Sequence, residues 1–167
     1  MTIRYAVPDD VPAVSAVEAE CFPPAEAATA AEFAERVAHY GNHFWLMYEA
    51  EKLIAFVDGF VTDEYDLTDE MYENAAMHNE NGAWQMIFGV NTLPDYRKHG
   101  YAAQLICRAV DDAKHLRQRD ELGGERFCAV KCVLRDFRAA EGLEIFRDIG
   151  TDLFDRQVDF QIGKNTV

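Results

Sequence analysis

The sequence is poor in positive charge. Sixteen lysines and arginines stand against 30 acids, a net charge of −14. A nucleic-acid binder needs a basic footprint, so nucleic acid is not an expected partner. No apolar run approaches the roughly 18 residues of a membrane span, so a membrane is not expected either. Met1-Thr2-Ile3-Arg4 leads into strand-like residues without the apolar core of a signal peptide, which makes the cytoplasm the expected location. Cys21, Cys107, Cys128 and Cys132 show no C-x-x-C spacing and read as reduced thiols. The P-loop and the G-x-G-x-x-G dinucleotide loop are both missing. So are internal repeats, low-complexity tracts and linkers, and 167 residues suit one domain over 1–167.

What charge there is divides unevenly. Residues 1–94 carry 17 acids against Arg4, Arg36 and Lys52, whereas residues 95–167 hold 13 of each sign. A cationic ligand suits the first part better and an anionic one the second.

The patterning is mixed α/β. Ile3–Val7 reads as a strand, and Val11, Val14 and Val17 recur at helical spacing after Pro8-Asp9-Asp10. Cys21-Phe22-Pro23-Pro24 is a loop, because two prolines stop helix and sheet alike. Thr29-Ala30-Ala31-Glu32 has capping-box spacing ahead of Phe33, Val37 and Tyr40, and Gly41 is placed to end that helix. His43–Glu49 and Lys52–Val61 suggest a hairpin, the acidic run 62–73 an exposed face, and Thr68–Met77 a short helix. Trp84–Thr92 looks like a central strand buried on both faces. A helix from Gly100, a strand over Arg126–Val133, a helix over Phe137–Asp148 and a last strand over Phe154–Ile162 complete the chain.

The chemistry concentrates in Gly89-Val90-Asn91-Thr92-Leu93-Pro94-Asp95-Tyr96-Arg97-Lys98-His99-Gly100-Tyr101-Ala102. A buried strand ends at Pro94 and a turn passes directly into a helix. Backbone N–H groups at a helix start point one way and carry partial positive charge, which suits a pyrophosphate without any metal. Gly100 permits close approach of the backbone, and Arg97 and Lys98 can add charge. An ordinary strand-to-helix turn with a basic residue is the plainer alternative.

Arg97-Lys98-His99-Gly100-Tyr101-Ala102 resembles the [RQ]-x-x-G-x-[GA] signature of the GNAT superfamily of acetyltransferases. Glu20-Cys21-Phe22-Pro23, Phe56-Val57-Asp58-Gly59, Leu67-Thr68-Asp69-Glu70-Met71 and Asn81-Gly82-Ala83-Trp84-Gln85 are similar to a bacterial branch related to arylalkylamine N-acetyltransferases, over residues 1–115. The resemblance implies a mixed, mostly antiparallel central sheet splayed near Thr92, with helices on both faces. It implies acetyl-coenzyme A as co-substrate. Backbone groups of Val90, Asn91 and Thr92 would hold its pantetheine arm, and the amides of Arg97, Lys98, His99, Gly100, Tyr101 and Ala102 its pyrophosphate. The acceptor, a small primary amine and an arylalkylamine in that branch, would lie against Glu20, Phe22 and Pro23. Glu20 has a plainer role open to it, as a solvated acid at a helix end. The oligomeric state is open, a homodimer included.

Residues 133–167 depart from the family. The tyrosine that serves as general acid is replaced, at the nearest equivalent Ile145-Phe146-Arg147-Asp148-Ile149-Gly150, by Phe146, which cannot donate a proton. True divergence and a frame-shifted tail would both produce this. No catalytic residue is assigned, and two expectations stay open: a slow N-acetyltransferase, or a degenerate domain that binds acetyl-coenzyme A with little turnover. The paired histidines that the animal enzymes related to that branch place on the central strand are also missing, with Met86 and Phe88 in that neighbourhood. His39 and His43 flank the Gly41 turn without further ligands at metal spacing, and His78 and His115 have no evident partner, so no metal site is expected.

Overall fold

A computed structural model describes residues 1–87, 89–117, 129–134 and 158–162, with side chains over 1–87 and 89–113. The order is β1 (Thr2–Tyr5), α1 (Val11–Cys21), α2 (Ala30–Tyr40), β2 (Phe44–Glu49), β3 (Lys52–Asp58), β4 (Val61–Thr62), α3 (Glu70–Glu73), β5 (Trp84–Ile87), β6 (Gly89–Thr92), α4 (Tyr101–Arg117), β7 (Ala129–Leu134) and β8 (Val158–Ile162). The strands form two four-stranded sheets, β1-β2-β3-β6 and β4-β5-β7-β8. The first is antiparallel throughout; in the second, β7 runs parallel to both β5 and β8.

Helices cover both faces. On one, α4 sets Leu105, Ile106, Ala109 and Val110 against Trp45, Met47, Ala55 and Val57. On the other, Val14 and Val17 of α1 and Phe33, Val37 and Tyr40 of α2 pack on Phe44, Leu46 and Phe56. The β2–β3 register slips between Met47, which faces Ala55, and Tyr48, which faces Leu53. Ile54 is the extra residue, and for that reason Ile54 and Ala55 both join the α4-side core.

The capping box is real: Glu32 N donates to Thr29 Oγ1 at 3.3 Å, and Thr29 N to Glu32 Oε2 at 2.6 Å. Thr29→Ala is expected to cost about 1 kcal/mol, read as a lower denaturant midpoint with an unchanged slope.

The expected strand Trp84–Thr92 contains β5 and β6, and the pairing on either side of them is uneven. Asp58 pairs with Gly89, and Val61 with Gln85. From Asp58 to Val61 is three residue steps, while from Gln85 to Gly89 is four, so the longer side carries a bulge. Met86 N donates to Phe60 O within it, at 2.8 Å. The chains are so close that a Cβ on Gly59 would sit 1.8 Å from Met86 O, and one on Gly89 1.6 Å from Asp58 Oδ1. On either side of this bulge β5 and β6 belong to different sheets.

Other expectations shift modestly. The helix expected over Thr68–Met77 is one turn, Glu70–Glu73, followed by a 3-10 turn at Ala75–Met77. The six acids of the 62–73 run are all exposed. His78, read as lacking a partner, contacts both His43 and Glu80. The helix expected over Phe137–Asp148, with Phe146, lies outside the described residues, as does Phe88. Among the described residues no helix is long and apolar enough to cross a membrane.

Candidate functional site

The parting of the sheets leaves one strand edge unpaired among the described residues. β7 follows β5 from the Trp84↔Ala129 pair to Ile87↔Cys132. Beyond that point β6 pairs only with β3 among the described residues. Its other edge, Gly89 to Thr92, can therefore bond an extended ligand lying beside it.

The turn after β6 is anchored by Leu93 N, which donates to Ile54 O at 2.9 Å, and by a 3-10 turn at Pro94–Tyr96. Lys98 and Gly100 then adopt left-handed φ angles of 65° and 74°. The first helical bond runs from Gln104 N to Gly100 O, at 3.0 Å. Backbone N–H groups from Gly100 to Ala103 accordingly find no acceptor among the described residues, as the start of a helix requires. A Cβ built on Gly100 meets no atom of the other described residues within 4 Å. Glycine is needed there for its φ, and the space it faces is open. An open groove of about 630 Å³ begins at Lys98, His99 and Gly100 and follows α4 past Gln104 and Cys107 to Arg108. Converging donors, partial positive charge and open space fit a bound pyrophosphate.

The basic residues divide the work. Lys98 is exposed at the groove. Arg97 instead turns back, its Nε donating to Thr92 O at 3.2 Å, and so braces the turn against β6. His99 Nδ1 lies 2.8 Å from Arg97 O, and its ring stacks on Tyr101 at 5.6 Å. Tyr96 and Tyr101 pack against the α4-side core. Ala102 is buried in the first turn of α4, whereas Val90 and Thr92 are half-buried.

On the opposite face, α1 ends against the same strand. Cys21 Sγ lies 3.4 Å from Thr92 O, and the thiol is pushed up by burial against the opposing pull of Arg97. Glu20 and Pro23 are exposed, and Phe22 is half-buried. The acid that points inward is Glu18, which the sequence reading did not single out. It accepts from Ala28 N at 3.1 Å and from the buried Asn91 amide. Glu18 recurs on the Val14–Val17 face, so its helical position was the one available clue. Burial raises its pKa, partly offset by those two bonds. Asp58, fully buried, is likewise raised by burial despite Arg36, whose Nη1 lies 3.3 Å from Oδ2. Asp58 Oδ1 has no hydrogen-bond partner among the described residues.

The sign of the Glu18 shift sets a test. A carboxyl raised on folding contributes stability below its ordinary value of 4.5, lost as pH rises through the elevated one. Glu18→Gln should therefore gain in melting temperature relative to the native protein as pH rises above about 4.5. A difference that stays flat or reverses with pH contradicts the raised value.

Comparison with known proteins follows this geometry. The model of the acetyltransferase (GNAT) family matches residues 11–128. Among solved structures, the GphF GNAT-like decarboxylase in complex with isobutyryl-CoA is 24% identical with a TM-score of 0.62, covering 68% of this chain and 60% of that one. A putative acetyltransferase from Agrobacterium tumefaciens is 19% identical with a TM-score of 0.59, covering 90% and 92%. The diaminobutyrate acetyltransferase EctA from Paenibacillus lautus, in complex with L-2,4-diaminobutyric acid and coenzyme A, is 9% identical with a TM-score of 0.51, covering 66% and 56%. The chain thus spans about three fifths of the first of these relatives. No match is found among the curated proteins. With the family model covering the strand, the turn and most of the helices just described, the chain belongs to the GNAT family of acetyltransferases.

Proposed function

We propose that the protein transfers the acetyl group of acetyl-coenzyme A to the nitrogen of a small primary amine, an arylalkylamine being the first class to test. The observation that carries this reading is the edge of β6, unpaired among the described residues, running into a turn whose amides from Gly100 to Ala103 lack acceptors among those residues. Bound coenzyme A would supply an activated thioester. Val90–Thr92 would align the pantetheine arm, and the Arg97–Ala102 turn would hold the pyrophosphate beside Lys98. The acceptor would enter on the α1 side, past Phe22 and Pro23, in the part of the chain, residues 1–94, that carries the whole net negative charge.

Holding a neutral amine against a thioester supplies much of the needed acceleration through proximity and orientation. The nitrogen bonds to the carbonyl carbon, the carbon–sulfur bond breaks, and the ammonium proton passes to solvent as the thiolate leaves. With Phe146 where the family places a tyrosine, general acid help worth roughly 10²–10⁴-fold is missing. The domain is then a slow enzyme, or in the second reading a binder with little turnover.

A turnover assay with an amine panel and acetyl-, propionyl- and isobutyryl-coenzyme A tests the reading. A rate that rises with an arylalkylamine and acetyl-coenzyme A supports it. A large further gain in Phe146→Tyr identifies an impaired enzyme, and no turnover in either protein favours the binder.

A further inference from the structure

Three side chains converge at the end of the central strand away from the Lys98–Ala103 turn. His43 closes the 3-10 turn before β2, and His78 and Glu80 lie in the connection before β5. Glu80 Oε2 is 3.1 Å from His43 Nε2 and 3.0 Å from His78 Nε2. One ligand atom from each of the three lies within 4.8 Å of the others. A tetrahedral ion with bonds of about 2.0–2.1 Å separates its ligand atoms by a little over 3 Å, the spacing seen on both sides of Glu80.

The bonds around these groups fix their orientation. Gln85 Nε2 donates to Met86 O at 2.9 Å, so Gln85 turns Oε1 toward His43. His43 Nδ1, 2.5 Å from that oxygen, therefore carries the ring proton. Its Nε2 meets the Glu80 carboxylate across a gap that a proton or a metal ion can fill. Asn42 Nδ2 steadies both Glu80 oxygens at 3.3 Å. The His43 side chain is 2% exposed and that of Glu80 45%, so the cluster is enclosed behind and open in front. Bonds that fix the tautomer and angle of a histidine from behind are the usual outer shell of a metal ligand.

We propose that His43, His78 and Glu80 bind a divalent ion of the zinc class, with water completing its coordination on the exposed side. Two imidazoles and one carboxylate suit zinc and its first-row neighbours rather than magnesium or calcium. Binding carries a local cost at His78. Val61 N donates to His78 Nδ1 at 3.2 Å, whereas an imidazole bound through Nε2 holds its proton on Nδ1. The metal displaces that bond, which lowers its affinity.

The test titrates the chelator-treated full chain with Zn²⁺ by calorimetry and with Co²⁺ by visible absorption. The expected result is one equivalent bound, a rise in melting temperature, and a Co²⁺ spectrum without thiolate charge transfer. Glu80→Gln keeps the size of a half-exposed side chain and should fold normally, and it and His43→Gln should lower affinity at least about 10-fold. No uptake at millimolar metal would show that a proton alone joins His43 to Glu80 and overturn the site. Uptake that is unchanged in Glu80→Gln, or that shows a thiolate band, places the ion elsewhere and overturns it equally.

Discussion

Gly100→Glu is expected to abolish acetyl-coenzyme A binding in a protein that still folds. The φ of 74° at this position costs a residue other than glycine roughly 1 kcal/mol. That is a modest loss for a domain of ordinary stability. A Cβ there meets no atom of the other described residues within 4 Å, so the new side chain projects toward the head of the groove. It would set a carboxylate where the unpaired amides would otherwise receive a pyrophosphate. Like charge and lost volume act together, and calorimetry should show affinity falling at least about 100-fold, or some 2.7 kcal/mol. Gly100→Ala separates the two effects, since it carries the φ cost without the charge. It should melt slightly lower and retain most of the binding. Equal loss of binding in both variants would mean that the turn had collapsed.

Gly89→Ala should produce a large loss of stability for a single added methyl group. Its Cβ would lie 1.6 Å from Asp58 Oδ1, and Asp58 cannot withdraw, being fully buried and paired with Arg36. Overpacking of this kind typically costs 1–3 kcal/mol, and the buried ion pair puts the expected value near the top, at about 3 kcal/mol. The same close approach holds the bulge that parts the two sheets. The variant should therefore lose cofactor affinity as well as stability. Asp58→Ala combined with Gly89→Ala removes the clash but leaves Arg36 without its carboxylate, so the pair should recover part of the stability and not all of it. Strict additivity of the two single changes would show that the contact does not govern the site.

Much of the architecture was legible because local rules agreed with the final packing. The Thr29–Glu32 box, the Phe33-Val37-Tyr40 face and the strand–turn–helix from Gly89 to Ala102 all follow from periodicity and glycine placement. The bulge was not legible. Phe56-Val57-Asp58-Gly59 and Met86-Ile87-Phe88-Gly89 each read as ordinary strand, and only their pairing shows one side to be longer. Glu18 was missed for a similar reason. Glu18 and Glu20 sit near one helix end, and only tertiary packing decides that the first turns inward to Asn91 while the second faces solvent. The His43–His78–Glu80 cluster was hidden because two connections separated in sequence supply it, with no metal-ligand spacing to betray it.

The most direct measurement is an amide-resolved magnetic resonance titration of the isotope-labelled protein with acetyl-coenzyme A. Binding along the open edge of β6 and into the turn predicts saturable shifts grouped at residues 89–92 and 97–103, with smaller ones along α4 toward Arg108. Saturation with shifts confined to other surfaces, or no saturation at millimolar ligand, would contradict the assignment of the cofactor to this strand and turn.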